Sequence, residues 1–135
     1  MKIKRQVIEA VIKHARKDAP LEACGYLAAK DGIITASYPL SNTDKSSEHF
    51  SFAPKEQFTV ARDARSKGLD LCVVYHSHPH TPARPSLEDI KLAHDPALLY
   101  AIISLAGGKE DIKVFKIKNQ VAEEAALEVI SDDEI

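Results

Sequence analysis

Two histidines separated by one residue, His76-Ser77-His78-Pro79, are followed after six residues by Ser86-Leu87-Glu88-Asp89. This stretch supplies two imidazoles, a hydroxyl and a carboxylate within fourteen residues. Imidazole and carboxylate are ligand types that hold a catalytic zinc while leaving one position open for water. The run Leu71-Cys72-Val73-Val74-Tyr75 before the histidines reads as a buried strand. Side chains at i and i+2 of a strand share a face. His76 and His78 can therefore converge on one ion where that strand ends, although a His-x-His pair at a strand end is also compatible with two surface histidines.

Asp89 has a second reading. Ser86-x-x-Asp89 directly after Pro85 has the form of a helix N-terminal capping box. The two readings are compatible, because the first turn of such a helix can face the histidine pair across the intervening loop. Three protein ligands, His76, His78 and Asp89, leave a fourth tetrahedral position. Zinc lowers the pKa of water bound there to about 7. Hydrolysis then needs a general base that is not itself a ligand. Glu22 is the candidate, in the otherwise apolar Pro20-Leu21-Glu22-Ala23-Cys24-Gly25-Tyr26-Leu27. From residue types alone, Glu48 and Glu88 compete with it.

The chain around these residues has 135 residues, 44% hydrophobic and 28% charged, with a formal net charge of −2. That suits one domain with its own hydrophobic core. No basic block suggests a nucleic acid or an anionic membrane as partner. The longest apolar runs are too short to span a bilayer, and no apolar h-region follows the basic start. A cytoplasmic protein is the default expectation. The two cysteines, Cys24 and Cys72, form no Cys-x-x-Cys pair and read as reduced, small apolar residues.

Val7, Ile8, Val11, Ile12 and Ala15 recur at helical spacing, with Lys4, Arg5 and Glu9 off that stripe, so a first helix ends before Pro20. Cys24–Ala29 and Ile33–Tyr38, joined through Asp31-Gly32, predict a β-hairpin. Phe50-Ser51-Phe52 alternates like a short strand. Pro54 starts a helix that carries Phe58, Ala61 and Ala64 and ends at Gly68. Another short helix runs from Ser86 toward His94. Leu98–Leu105 reads as a strand covered on both faces. In the segment after Gly107-Gly108, Ile112 and Val114 share one parity while Phe115 and Ile117 share the other, which means a bulge or a strand buried on both sides. Residues 121–130 are ambiguous between helix and strand, and 131–135 are expected to fray. The expected fold is a single α/β (α+β) domain over 1–135, with a mixed central sheet flanked by helices.

The order Glu, His-x-His-Pro, six residues, Ser-x-x-Asp resembles the JAMM motif of the JAB1/MPN (Mov34/PAD-1) metalloprotease family. It is met at Glu22, His76, His78, Pro79, Ser86 and Asp89. The phrase Glu22-Ala23-Cys24-Gly25-Tyr26-Leu27 is similar to the one bearing the catalytic Glu in prokaryotic members. The resemblance covers most of the chain, from the first helix to about Leu105. It implies a zinc-dependent peptidase or isopeptidase with one Zn²⁺ per chain bound by His76, His78 and Asp89. Glu22 would shuttle the proton of the water, and Ser86 would donate to the tetrahedral oxyanion. At 135 residues the chain resembles the compact bacterial and archaeal forms. Those act on ubiquitin-like sulfur-carrier proteins after a C-terminal Gly-Gly. A non-catalytic MPN scaffold that binds a partner protein is the competing reading. A zinc deaminase would need His-x-Glu with Pro-Cys-x-x-Cys, which the chain lacks. His14, His49, His80, His94 and Arg84 are read as ordinary helix and loop residues.

Overall fold

The structure, a computed structural model, describes residues 1–132. In chain order the elements are β1 (Lys2–Lys4), α1 (Arg5–Asp18), β2 (Cys24–Lys30), β3 (Ile33–Leu40), α2 (Pro54–Ser66), β4 (Asp70–His78), α3 (Leu87–Leu92), β5 (Leu99–Ser104), β6 (Asp111–Lys118), β7 (Val121–Ala125) and β8 (Glu128–Ile130). The strands form one mixed sheet of order β7-β6-β5-β4-β2-β3-β1-β8. β4 runs parallel to β5, β1 runs parallel to both β3 and β8, and the remaining ladders are antiparallel. This is the mixed sheet with flanking helices that the interleaved pattern predicts.

Both faces of the sheet are covered. Val7, Val11 and Ala15 of α1 pack with Val73, Tyr75, Ala101, Ile103 and Val114 on one face. Ile102, Phe115 and Ile117 pack with Ala83 and with Ile90 of α3 on the other. The parity slip along β6 is thus burial on two sides, and the β5–β6 ladder runs without a register shift. The same parity rule fixes β4. Val73 and Tyr75 face α1, which sends Val74, His76 and His78 to the opposite face.

The β2–β3 turn has Asp31 at φ 52° and Gly32 at φ 79°, the left-handed pair that a two-residue hairpin requires. Near the start of β2, Gly25 serves a close approach. A Cβ there would overlap the Tyr38 carbonyl oxygen and lie 2.6 Å from the Tyr75 ring. Backbone on one side leaves nothing free to yield, so Gly25→Ala is expected to cost about 1–3 kcal/mol. A thermal melt checks this, and an unchanged midpoint would contradict the spacing of β2 against β3 and β4.

Four sequence expectations change. Lys2–Lys4 is a strand rather than the start of the first helix, with Ile3 1% exposed between β3 and β8. Phe50–Phe52 joins no ladder; its middle residue instead donates its N–H to Asn42 Oδ1 and accepts the Thr43 N–H at its carbonyl. Residues 121–130 resolve into β7 and β8. In α2 the buried residues are Val60 and Ala64, while Phe58 is 65% exposed beneath the Arg62 guanidinium. As expected, both cysteines are free. Of the segment expected to fray, 133–135 lies outside the described residues. Asp132 accepts the Gln6 backbone N–H at 2.9 Å on the first turn of α1, a turn that lacks a side-chain cap of its own.

Candidate metal centre

β4 continues through both histidines, so their side chains leave the same face two residues apart. Each strand neighbour fixes one edge of the site. On one side β5 pairs with β4 up to His78↔Ser104. On the other side β2 pairs Cys24 with His76. Beyond that pair, Ser77 N–H donates to Ala23 O at 2.9 Å, and Ala23 N–H donates to Ser77 Oγ at 2.7 Å. The antiparallel register therefore sets Glu22 level with His78, and opposed residues of such a pair share a face.

After β4 the chain is turned back by specific bonds. His78 Nδ1 lies 2.9 Å from the Pro82 carbonyl, Ser104 Oγ donates to Thr81 O at 2.6 Å, and Ala83 is buried in the α3-side core. Ser86 then caps α3. Its Oγ accepts Asp89 N–H at 3.0 Å, and its own N–H donates to Asp89 Oδ2 at 2.8 Å. The capping box and the ligand reading are satisfied together, because Asp89 Oδ2 also lies 3.1 Å from His76 Nε2 and 3.0 Å from His78 Nε2.

The two Nε2 atoms are 3.2 Å apart. Three atoms with mutual separations of 3.0, 3.1 and 3.2 Å form a nearly equilateral triangle. A tetrahedral ion with arms of about 2.0 Å needs ligand–ligand edges of about 3.3 Å. The donor chemistry fits as well. Without a cation, Nε2 protons bridge to Asp89; a cation would displace them, and a His78 that then keeps its Nδ1 bond to Pro82 presents a lone pair at Nε2. That lone pair points into a cluster with a second imidazole and a carboxylate oxygen, an arrangement that a cation relieves. His76, His78 and Asp89 are thus a candidate metal site among the described residues.

Electrostatics follow from burial. His76 and His78 are buried, and Glu22 is only 2% exposed. Burial, the largest influence, pushes the Glu22 carboxyl up to about 8, partly offset by the charge of His78. Its Oε1 is buried without a hydrogen-bond partner among the described residues. Burial also opposes charge on Asp89, but the hydrogen bonds from His76 and His78 outweigh it and hold this carboxyl well below the usual range. His78 is raised, with burial working against its charge and the bonds to Asp89 and Pro82 overcoming it.

All five residues singled out in the sequence fall on this end of the sheet. Glu48, a competitor on residue types, lies exposed in the loop, and Glu88 is exposed on α3. Sequence reasoning missed several supporting groups. Asn42 Nδ2 donates to Glu22 O at 3.1 Å and to His49 O at 3.0 Å, and Ser46 O accepts Glu22 N–H at 2.8 Å, so the 41–53 loop grips the Glu22 backbone from both sides. Ser77, the Pro82 carbonyl and Phe50 are the others. Only the Asx-turn tendency of Asn42 left any trace in the sequence. Beside His76 and Asp89 lies a cavity of about 350 Å³ whose walls include Tyr26, Phe50, Phe52, Leu92, Tyr100 and Ile102. His14 is a residue of α1, as expected, and it is part-buried. Its Nδ1 meets the Tyr75 hydroxyl at 2.6 Å, and its Nε2 meets Asp18 at 3.0 Å.

A buried acid beside a candidate three-ligand cation site on a sheet end matches the equipment of a metal-dependent hydrolase. The chain belongs to the prokaryotic homologs of the JAB domain, whose family model matches residues 4–118. It is 30% identical over 131 residues to the CysO-cysteine peptidase of Mycobacterium tuberculosis, covering 95% of this chain and 90% of that protein. It is 32% identical over 106 residues to the desampylase of Haloferax volcanii, covering 73% of this chain and 76% of that one. The solution structure of protein DSY2949 from Desulfitobacterium hafniense matches with a TM-score of 0.86 at 43% identity, over 99% of this chain and 94% of that chain. No helix among the described residues is long and apolar enough to cross a membrane.

Proposed function

We propose that the protein is a zinc-dependent peptidase or isopeptidase that hydrolyses an amide bond after the C-terminal Gly-Gly of a ubiquitin-like or sulfur-carrier protein. The observation that carries the chemistry is the triangle of His76 Nε2, His78 Nε2 and Asp89 Oδ2, with its edges of 3.0–3.2 Å. These residues would hold one zinc ion per chain. The bound ion would supply an acidified water and polarise the amide carbonyl. Glu22, buried and with one carboxyl oxygen unpartnered, takes the proton from the water and delivers it to the leaving amine. In the metal-free protein burial raises this carboxyl to about 8, so it is not locked as a permanent anion.

Ser86 has a double use. Its Oγ lone pair accepts the Asp89 N–H, which leaves the hydroxyl hydrogen free to donate to the oxyanion of the reacting carbonyl. Ser86→Ala is therefore expected to lower turnover by about 10²-fold and to cost about 1 kcal/mol of cap stability. Steady-state rates and a thermal melt separate the two effects. A loss of stability alone would leave Ser86 only the cap.

The substrate class is supported by the peptidase and desampylase names of the relatives, and the cavity beside the candidate ligands, walled by aromatic and polar side chains, is where a substrate would lie. The deciding experiment offers the zinc-loaded protein a panel of Gly-Gly-terminated ubiquitin-like and sulfur-carrier fusions, with and without chelator, and reads cleavage by mass spectrometry. Chelator-sensitive cut products ending in Gly-Gly are expected. Stoichiometric zinc without cleavage of any fusion would turn the reading toward a partner-binding scaffold.

A further inference from the structure

The two imidazoles of the site are held in different ways. A metal-ligating histidine ordinarily donates its other ring N–H to a carboxylate, a carbonyl or water, which fixes the ring plane. His78 does so through Nδ1 and the Pro82 carbonyl at 2.9 Å. His76 does not, since its Nδ1 is buried with no hydrogen-bond partner among the described residues. What lies against the His76 ring is Phe50, stacked with centroids 4.9 Å apart and planes inclined by 26°. Phe50 packs on Phe52 at 5.4 Å, and Phe52 on Tyr26 at 5.1 Å. The Tyr26 hydroxyl accepts from Gln57 Nε2 at 3.0 Å, so a ladder of rings runs from α2 to the imidazole. The loop carrying Phe50 is itself locked. Asn42 Oδ1 accepts Asp44 N–H at 3.0 Å and Ser51 N–H at 3.3 Å, and Asp44 Oδ2 meets His49 Nδ1 and Ser51 Oγ, both at 2.9 Å.

We propose that Phe50 is a positioning residue for metal binding, whose ring face, in place of a hydrogen bond, sets the plane of the His76 imidazole. Without a bond at Nδ1, the ring can turn about its Cβ–Cγ bond and present carbon instead of Nε2 to the metal. A flat, immobile neighbour restricts that turn, and a branched aliphatic side chain of similar volume does not. The proposal rests on the reading of His76 as a ligand.

The test measures zinc affinity of the full-length protein by competition with a chromogenic chelator at fixed pH, together with the visible absorption of cobalt(II)-loaded protein, which reports ligand geometry. Phe50→Leu is expected to weaken zinc binding about 10–100-fold and to change the cobalt spectrum, while Phe50→Tyr, which keeps the ring, restores the parent values. Equal affinity and identical spectra for the parent and Phe50→Leu overturn the proposal, as does an equal loss in Phe50→Leu and Phe50→Tyr. Should Phe50→Leu not fold, Phe52→Leu, which loosens the next ring without touching His76, takes its place. Unchanged affinity and an unchanged spectrum there overturn the proposal. A parent protein that binds no zinc overturns the underlying reading of the site instead.

Discussion

Glu22→Gln is expected to lower turnover by about 10²–10⁴-fold, the usual contribution of a positioned acid–base group, while zinc content stays at the parent level. The substitution keeps shape and volume and removes only the ability to carry a proton. Glu22 makes none of the short contacts that tie His76, His78 and Asp89 together, so the metal is not expected to leave with the charge. Rates on a cleaved fusion and elemental analysis of the same preparation check both halves. Near-parental turnover would remove Glu22 from the reaction.

The same variant has a second signature in metal-free protein. The folded carboxyl titrates near 8 against an ordinary value of 4.5. Below 4.5 both states of the chain are protonated and the shift costs nothing. Between 4.5 and about 8 the unfolded chain releases a proton that the folded chain retains, so stability falls as pH rises. Melts of chelator-stripped protein should therefore show Glu22→Gln gaining on the parent across that window and holding its advantage above it. A gap independent of pH would mean that this carboxyl is not buried as described.

His76→Ala and Asp89→Asn are expected to lose both metal and turnover, with zinc falling from about one per chain to background. Removing either ligand atom leaves two donors, too few for a site that must also keep a position open for water. Asn at 89 is the sharper probe, because its side-chain oxygen can still accept the Ser86 N–H and keep the α3 cap while the carboxylate charge is gone. Retained helix signal with lost metal is the expected pairing, read by circular dichroism and elemental analysis. Zinc retained at one per chain in both variants would place the metal elsewhere.

Much of this was readable in the chain, for physical reasons that differ by element. The β-branched and aromatic run before His76 could only be a buried strand, and strand parity then dictated that both imidazoles face one way. Asp31-Gly32 announced its hairpin because glycine marks a left-handed turn. The equivalent turn between β6 and β7 uses Asn119 at φ 51° and Gln120 at φ 62°. Without glycine it gave no signal, and the exposed glutamates of the edge strand β7 hid its extended form. β1 was lost because three residues are too few to show a period. The candidate ligand set stood out because its members lie within fourteen residues. Its supports did not, since Phe50 and the Pro82 carbonyl reach the site through loop geometry that no local pattern encodes, and Asn42 shows only a turn tendency. Glu22 was separated from Glu48 and Glu88 by family resemblance alone. The structure adds the physical distinction, because of the three only Glu22 is buried.

One oxygen atom, Asp89 Oδ2, serves two masters: it secures the opening turn of a six-residue helix and it faces both imidazoles. So short a helix has little stability of its own. Any ion that draws on that oxygen also steadies the turn, and any disturbance of the turn weakens the hold on the ion. Occupancy and local order thus become a single thermodynamic variable. If zinc is the ion held there, the lip of the site would tighten with rising free zinc and slacken under chelation, and zinc supply would then act on the shape of the site as well as on its chemistry.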